Sequence, residues 1–132
     1  MNKVVARFVD GRIVKGSTSD FGPTKATFHI ASSGDPAGSK LLSIQLKDLK
    51  ALFFVKNLHG LASHVERKEF DPSRPLPGRK IKVTFKDKEV LVGVTYSYQS
   101  GRPGFFMVPA DQESNIEHCF VVSAAAKEIE LL

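Results

Sequence analysis

Four histidines, one cysteine and two loop-like stretches carry the groups that could do chemistry in this chain, and their spacing limits each. His59 and His64 stand five apart, which is neither the i, i+4 step of a helical zinc pair nor a finger spacing. With no cysteine pair and no carboxylate motif nearby, His29, His59, His64 and His118 read as surface or capping histidines, and no metal is expected. Cys119 lies in the strand-like run EHCFVV, where neighbours point to opposite faces, so His118 is not placed to act as its base. The thiol reads as a small buried hydrophobe. The run DQESN, 111–115, offers alternate oxygens but lacks the glycine and the terminal bidentate Glu of a calcium loop, so it reads as an Asx or Ser turn. SGRPGFF has glycines without the Lys-Ser/Thr of a phosphate loop, and reads as a tight turn launching a strand. No clustered acid, base and nucleophile emerges, so neither an enzyme nor a cofactor is expected.

Charge suggests binding instead. The net charge is +5, but residues 40–88 hold 12 Lys and Arg against 5 Asp and Glu, whereas residues 89–132 hold 2 against 6. A basic middle beside an acidic carboxyl end can steer an anionic partner. The candidate binding residues are therefore Arg67, Lys68, Arg74, Arg79, Lys80 and Lys82, with Phe53 and Phe106 as neighbouring rings on which a single-stranded nucleic acid would stack if they were exposed. Lysines on strands also keep sheets soluble, which is the plainer reading of the same residues.

The elements that must position these groups are short strands. Apolar residues alternate in VVARFV, at Val4, Ala6 and Phe8, and again in IKVTFK, at Ile81, Val83 and Phe85. This is the period of a strand with one buried face. KVVARFVDGRIVKG (3–16) and KIKVTFKDKEVLVG (80–93) align when Lys3 is set on Lys80, and the same offset also matches Thr18 with Thr95, Phe28 with Phe105 and Lys50 with Lys127. A constant offset that preserves the alternation points to an internal repeat. Asp10-Gly11 is a hairpin signal; Asp87-Lys88 at the matching place predicts a looser turn. Gly16 and Gly93 fall inside strands, where a missing side chain marks a bend or a close approach of another backbone.

Each copy reads as five strands: 3–9, 12–21, 25–32, 40–46 and 49–55, then 80–86, 89–98, 104–109, 118–123 and 126–132. The connection between them begins with a helical pattern that places Leu61, Val65 and Phe70 on one face, with Asn57 or Ser63 as cap. It ends with Pro72, Pro75 and Pro77, which exclude a helix and keep the strap extended. Leu58, Leu61, Val65 and Phe70 are expected to pack against the flanking units. The adjacent pairs Phe53-Phe54 and Phe105-Phe106 cannot both point into one core, so one member of each must face the other unit, the strap or a partner.

Val4 to Phe21, with the pattern V-x-A-x-F-x-D-G-R-x-V-x-G-x-T-x-x-F, resembles the first motif of Sm and Sm-like proteins, and Ile81 to Tyr98 resembles it more weakly. The resemblance implies an all-β fold of two tandem SH3-like, Sm-like five-stranded barrels, at 1–55 and 80–132, joined by a Pro-rich strap with a short helix at 56–79. That family's RNA site needs an Arg-Gly or Lys-His type of step between strands four and five. The junctions here read LKDL (46–49) and SAAA (123–126), so that signature is missing. The long strap argues against the edge-to-edge stacking by which such barrels form rings. Arg67, Lys68 and Arg74 ahead of a barrel resemble the arginine-rich stretch of PilZ proteins, but the Asp-x-Ser-x-x-Gly step is absent. LKDLKALFFVK (46–56) and GFFMVPADQESN (104–115) resemble an uncharacterised bacterial domain associated with signalling proteins, a likeness running from about Leu42 to the end.

The expectation is thus a non-catalytic binding or adaptor module that contacts a protein in bacterial signalling, compatible with a homodimer. RNA or nucleotide binding through the basic middle is the rival. No apolar run approaches the roughly 20 residues that cross a bilayer, the amino terminus has no signal-peptide core, and a single cysteine fits a reducing compartment. A cytoplasmic location without membrane contact is expected.

Overall fold

In the computed structural model, residues 2–32, 40–59 and 67–132 are described. The alternating segments form ten strands: β1 (Asn2–Phe8), β2 (Ile13–Thr18), β3 (Thr27–Ser32), β4 (Leu41–Gln45), β5 (Leu49–Val55), β6 (Arg79–Phe85), β7 (Val90–Thr95), β8 (Gly104–Pro109), β9 (Ile116–Val122) and β10 (Ala126–Leu131). One-turn 3-10 segments, Leu46–Asp48 and Ser123–Ala125, join β4 to β5 and β9 to β10. The helical pattern anticipated after Asn57 falls largely on residues 60–66, which lie outside the described residues, as do His64, Leu61 and Val65.

The strands form one open antiparallel sheet in the order β10-β6-β7-β8-β9-β5-β1-β2-β3-β4. The two halves of the repeat are thus joined edge to edge in one continuous sheet. β5 pairs with β1 on one side and with β9 on the other, placing Leu52 opposite Phe120 and Phe53 opposite Cys119. The physical reason is the composition of β5: every residue from Leu49 to Val55 is buried, which requires cover on both faces.

Pairing registers recur at the offset that sets Lys3 on Lys80. Val4 faces Gly16 and Ile81 faces Gly93; Gly16 faces Ser32 and Gly93 faces Pro109. Ala6 faces Leu52 and Val83 faces Ile129; Phe28 faces Ile44 and Phe105 faces Val121. The two strand glycines are required by close approach: an added Cβ would sit 2.1 Å from the Ala31 carbonyl oxygen at Gly16 and 2.0 Å from that of Val108 at Gly93. The first hairpin turns at Asp10-Gly11 with φ +94° at Gly11, and the second places Lys88 at φ 78° in the corresponding position. Both turns close the same way: Gly11 N–H donates to Phe8 and Lys88 N–H to Phe85. The Asp10 and Asp87 carboxylates accept from the N–H of Arg12 and Glu89. The second turn is therefore not looser; its lysine is held in the left-handed region that favours glycine.

Two cores lie on opposite faces of the central strands. Val4, Ala6, Phe8, Phe28, Ile30, Leu52, Phe54 and Phe120 belong to the first, with Phe21 and Phe106 packed on it. Ile81, Val83, Phe85, Phe105, Met107, Cys119 and Val121 belong to the second, together with Ala51, Phe53 and Val55 from β5. Successive residues of β5 and β9 thus point alternately into one core and the other. Each Phe pair is split between the cores, as the sequence required. Leu58 packs on the second core, and Phe70 lies under the Lys80 ammonium, 4.9 Å from its ring centroid.

Lys50 ties the two strand sets together. It is the extra residue of a β5 bulge, since Leu49 faces Phe8 and Ala51 faces Arg7. Although only 6% exposed, it donates to Asp87 at 2.8 Å and to Glu89, on the β6–β7 turn. This bond is the main reason that Asp87 sits below its ordinary value of 3.8.

Candidate binding groove

Of the six cations singled out by sequence, three come together: Arg74 lines one depression with Arg67 and an adjoining one with Lys80, beside Asp71 in both. Arg67 presents its backbone N–H to Asp111 at 2.8 Å, and Arg74 is paired with Glu113 at 2.8 Å, in a shallow pit that also contains Glu69 and Asp71. The Arg74 guanidinium holds Glu113 below its ordinary carboxyl range. Lys68 lines a different depression beside Arg7 and Lys15. Arg79, Lys80 and Lys82 lie on β6, where Lys82 is register partner to Glu130. Phe53, 4% exposed, is core rather than surface, because β5 is covered on both faces. Phe106 is half-buried, with its ring 5.1 Å from that of Phe120 and 6.1 Å from His118. The exposed ring beside the basic middle is instead Tyr96, which follows the register partner of Arg79 and lies against Gly78.

His118 and Cys119 occupy opposite faces, as strand geometry demands. His118 stacks on Phe54 at 4.4 Å, and burial lowers its pKa, while Cys119 packs in the second core. Asp111 organises its turn by accepting from the N–H of Glu113, the Asx geometry read from DQESN. Among the described residues no three His, Cys, Asp or Glu side chains are grouped so as to hold a metal ion.

A roomy cleft lies where the two strand sets meet, and four segments line it. The β2–β3 connection contributes Pro23 to Ala26, and the β7–β8 connection contributes Gly101 to Pro103. The end of β4 with its 3-10 turn supplies Gln45 to Lys47, and the end of β9 with its own turn supplies Val122 to Ala124. The volume is about 680 Å³, within the roughly 300–1,000 Å³ of ligand clefts.

Local hydrogen bonds set these walls. Leu46 N–H donates to the Ala26 carbonyl at 2.9 Å and Ser123 N–H to that of Pro103 at 2.9 Å, so each loop is fastened to the 3-10 turn of its own strand set. The base of the first loop is held by Asp20, whose carboxylate accepts from the Thr18 hydroxyl, the His29 N–H at 2.9 Å and the His29 ring at 2.7 Å. These bonds, led by that from the His29 ring, hold the Asp20 carboxyl at about 2. In the second loop Ser97 takes the corresponding place, its hydroxyl accepting from Phe106 N–H at 3.1 Å. Side-chain oxygens thus replace ladder carbonyls where the strands splay into the loops.

Three cations border the groove: Lys25, Lys47 and Arg102. Lys25 and Arg102 are equivalent positions of the repeat, one on each loop. The Lys25 ammonium donates to the Asp20 backbone carbonyl at 3.0 Å. No acidic and no aromatic residue is among those lining the groove. Sequence reasoning missed this site because its walls come from four separate segments, and because LKDL and SAAA were weighed only for a motif they lack. The available signal was the coincidence of Lys25 with Arg102 at the repeat offset.

These features place the molecule in a class, the all-β proteins built on a single antiparallel sheet, with no helix among the described residues long and apolar enough to cross a membrane. Within that class the chain belongs to the DUF6982 family, a family of unknown function, whose model matches residues 1–132. The match covers the whole chain, a wider span than the stretch from Leu42 onward on which the likeness to an uncharacterised domain rested. No curated protein and no solved structure matches it.

Proposed function

We propose that the chain is a non-catalytic protein-binding module, an adaptor in bacterial cytoplasmic signalling. Its strand sets, 1–55 and 80–132, are two SH3-like, Sm-like units that arose by duplication and are joined by the strap at 56–79. The registers that repeat between them support the duplication. The groove carries the functional reading: loops from both units meet around a cleft floored by Pro23, Leu46, Pro103 and Val122, without an acid–base constellation in it. Such a cleft suits side chains of a partner protein. The rival, RNA or nucleotide binding through the basic middle, is less well supported, since Arg74 is paired with Glu113, the depression that holds Arg67 and Arg74 also holds Glu69, Asp71 and Asp111, and Phe53 is buried.

Affinity capture from nuclease-treated bacterial lysate tests this reading, comparing the wild type with Ala124→Trp, which fills the groove from an exposed position. A stoichiometric protein retained by the wild type and lost from the variant is expected. Retention of nucleic acid without a protein, weakening steeply with salt, would replace this reading with its rival.

A further inference from the structure

We infer that the groove takes a short acidic segment of the partner protein, with apolar side chains on its floor and carboxylates at the three cations; this rests on the protein-binding reading above. Arg12 pairs with Asp10 at 2.8 Å and Arg74 with Glu113 at 2.8 Å. The groove differs from those two places, with Lys25, Lys47 and Arg102 on its border and no carboxylate among its lining residues. The Lys25 ammonium donates to a neutral carbonyl, and the Asp20 carboxylate faces His29 and Thr18 instead. Lys47 and Arg102 are exposed.

Cations facing one cleft from both strand sets create a local positive potential that only an anionic occupant complements. The rest of the lining selects among anions. An apolar floor without a ring gives nucleic-acid bases nothing to stack on, whereas Leu, Val or Pro side chains between carboxylates match it. Because Lys25 and Lys47 belong to one strand set and Arg102 to the other, a bound segment bridges the seam between them.

Selection of a random-peptide display library on the full-length chain, with Ala124→Trp as the counter-target, tests the inference. Peptides that combine Asp or Glu with apolar residues are expected to be enriched on the wild type alone. A labelled peptide from that selection should lose about tenfold in affinity to the Lys47→Glu/Arg102→Glu double variant, and should bind more weakly as salt rises. Both substitutions are at exposed positions, and circular dichroism verifies that the variant is folded. Groove-dependent peptides that are neutral or basic, or that ignore the double variant, would overturn the acidic-segment inference and leave the protein-binding reading standing. Failure to enrich any groove-dependent peptide, or displacement of the labelled peptide by oligouridylate at lower concentration than by the unlabelled peptide, overturns both.

Discussion

Lys88 shows what a single backbone angle costs. It holds φ 78° at the place where the first hairpin has Gly11, with the same turn hydrogen bonds around it. A side chain in the left-handed region costs about 1–2 kcal/mol, partly offset because glycine has more freedom to lose on folding. Lys88→Gly is therefore expected to stabilise the protein by about 1 kcal/mol, read as a raised urea midpoint. Asp20 contributes through its charge. Its carboxyl is held at about 2 in the folded chain against an ordinary 3.8. A carboxyl depressed by folding adds stability that is fully present above its unfolded value and is lost as pH falls through its folded one. Asp20→Asn should therefore flatten the loss of stability between pH 3.8 and about 2; an unchanged acid limb in urea titrations would show that the His29 contact contributes nothing to folding.

At the scale of the element, β5 and β9 form the wall that both cores use. Phe120 is fully buried on the face turned to the first core, while Cys119 and Val121 face the second. Phe120→Ala is expected to cost about 3–5 kcal/mol, measured by equilibrium unfolding, because neither neighbouring strand can collapse into the space without disturbing the other core. The strands themselves were legible in the sequence. Alternation located β1 and β6, since a strand with one buried face cannot hide its period, and the repeat offset with the turn-rich loops placed the other eight to within a few residues. The β5–β9 pairing was not legible. FFV and CFVV announce burial on both faces, but an apolar run does not say which strand will cover it. The groove was harder still, because a cleft is a property of how loops from distant segments meet.

For the whole molecule, sharing that wall makes the two strand sets interdependent. Residues 1–55 alone would expose Ala51, Phe53 and Val55, and residues 80–132 alone would expose Phe120 and Val122. Each unit would also be near the lower size limit for a self-supporting core. Urea unfolding of the whole chain should therefore proceed in one transition by fluorescence and circular dichroism together. The separately expressed pieces should lack a cooperative transition; a folded 80–132 fragment would contradict this coupling.

Among the described residues the sheet still has two unpaired margins, β4 and β10. Where β5 has Ala51 and Phe53, β10 has Glu128 and Glu130 at the corresponding places; where β9 has Phe120 and Val122, β4 has Ser43 and Gln45. Carboxylates and amides on a rim hinder the addition of another strand. The chain thus carries the internal joint in greasy form and the same joint, at its outer rims, in a form that repels. Glu128→Ala/Glu130→Phe should undo that protection, letting the tenth strand of one molecule seat against the fourth of the next in a head-to-tail fibre. Light scattering that rises with protein concentration would reveal it, and a variant that stays monomeric would show that the acidic pair is not what keeps the molecules apart.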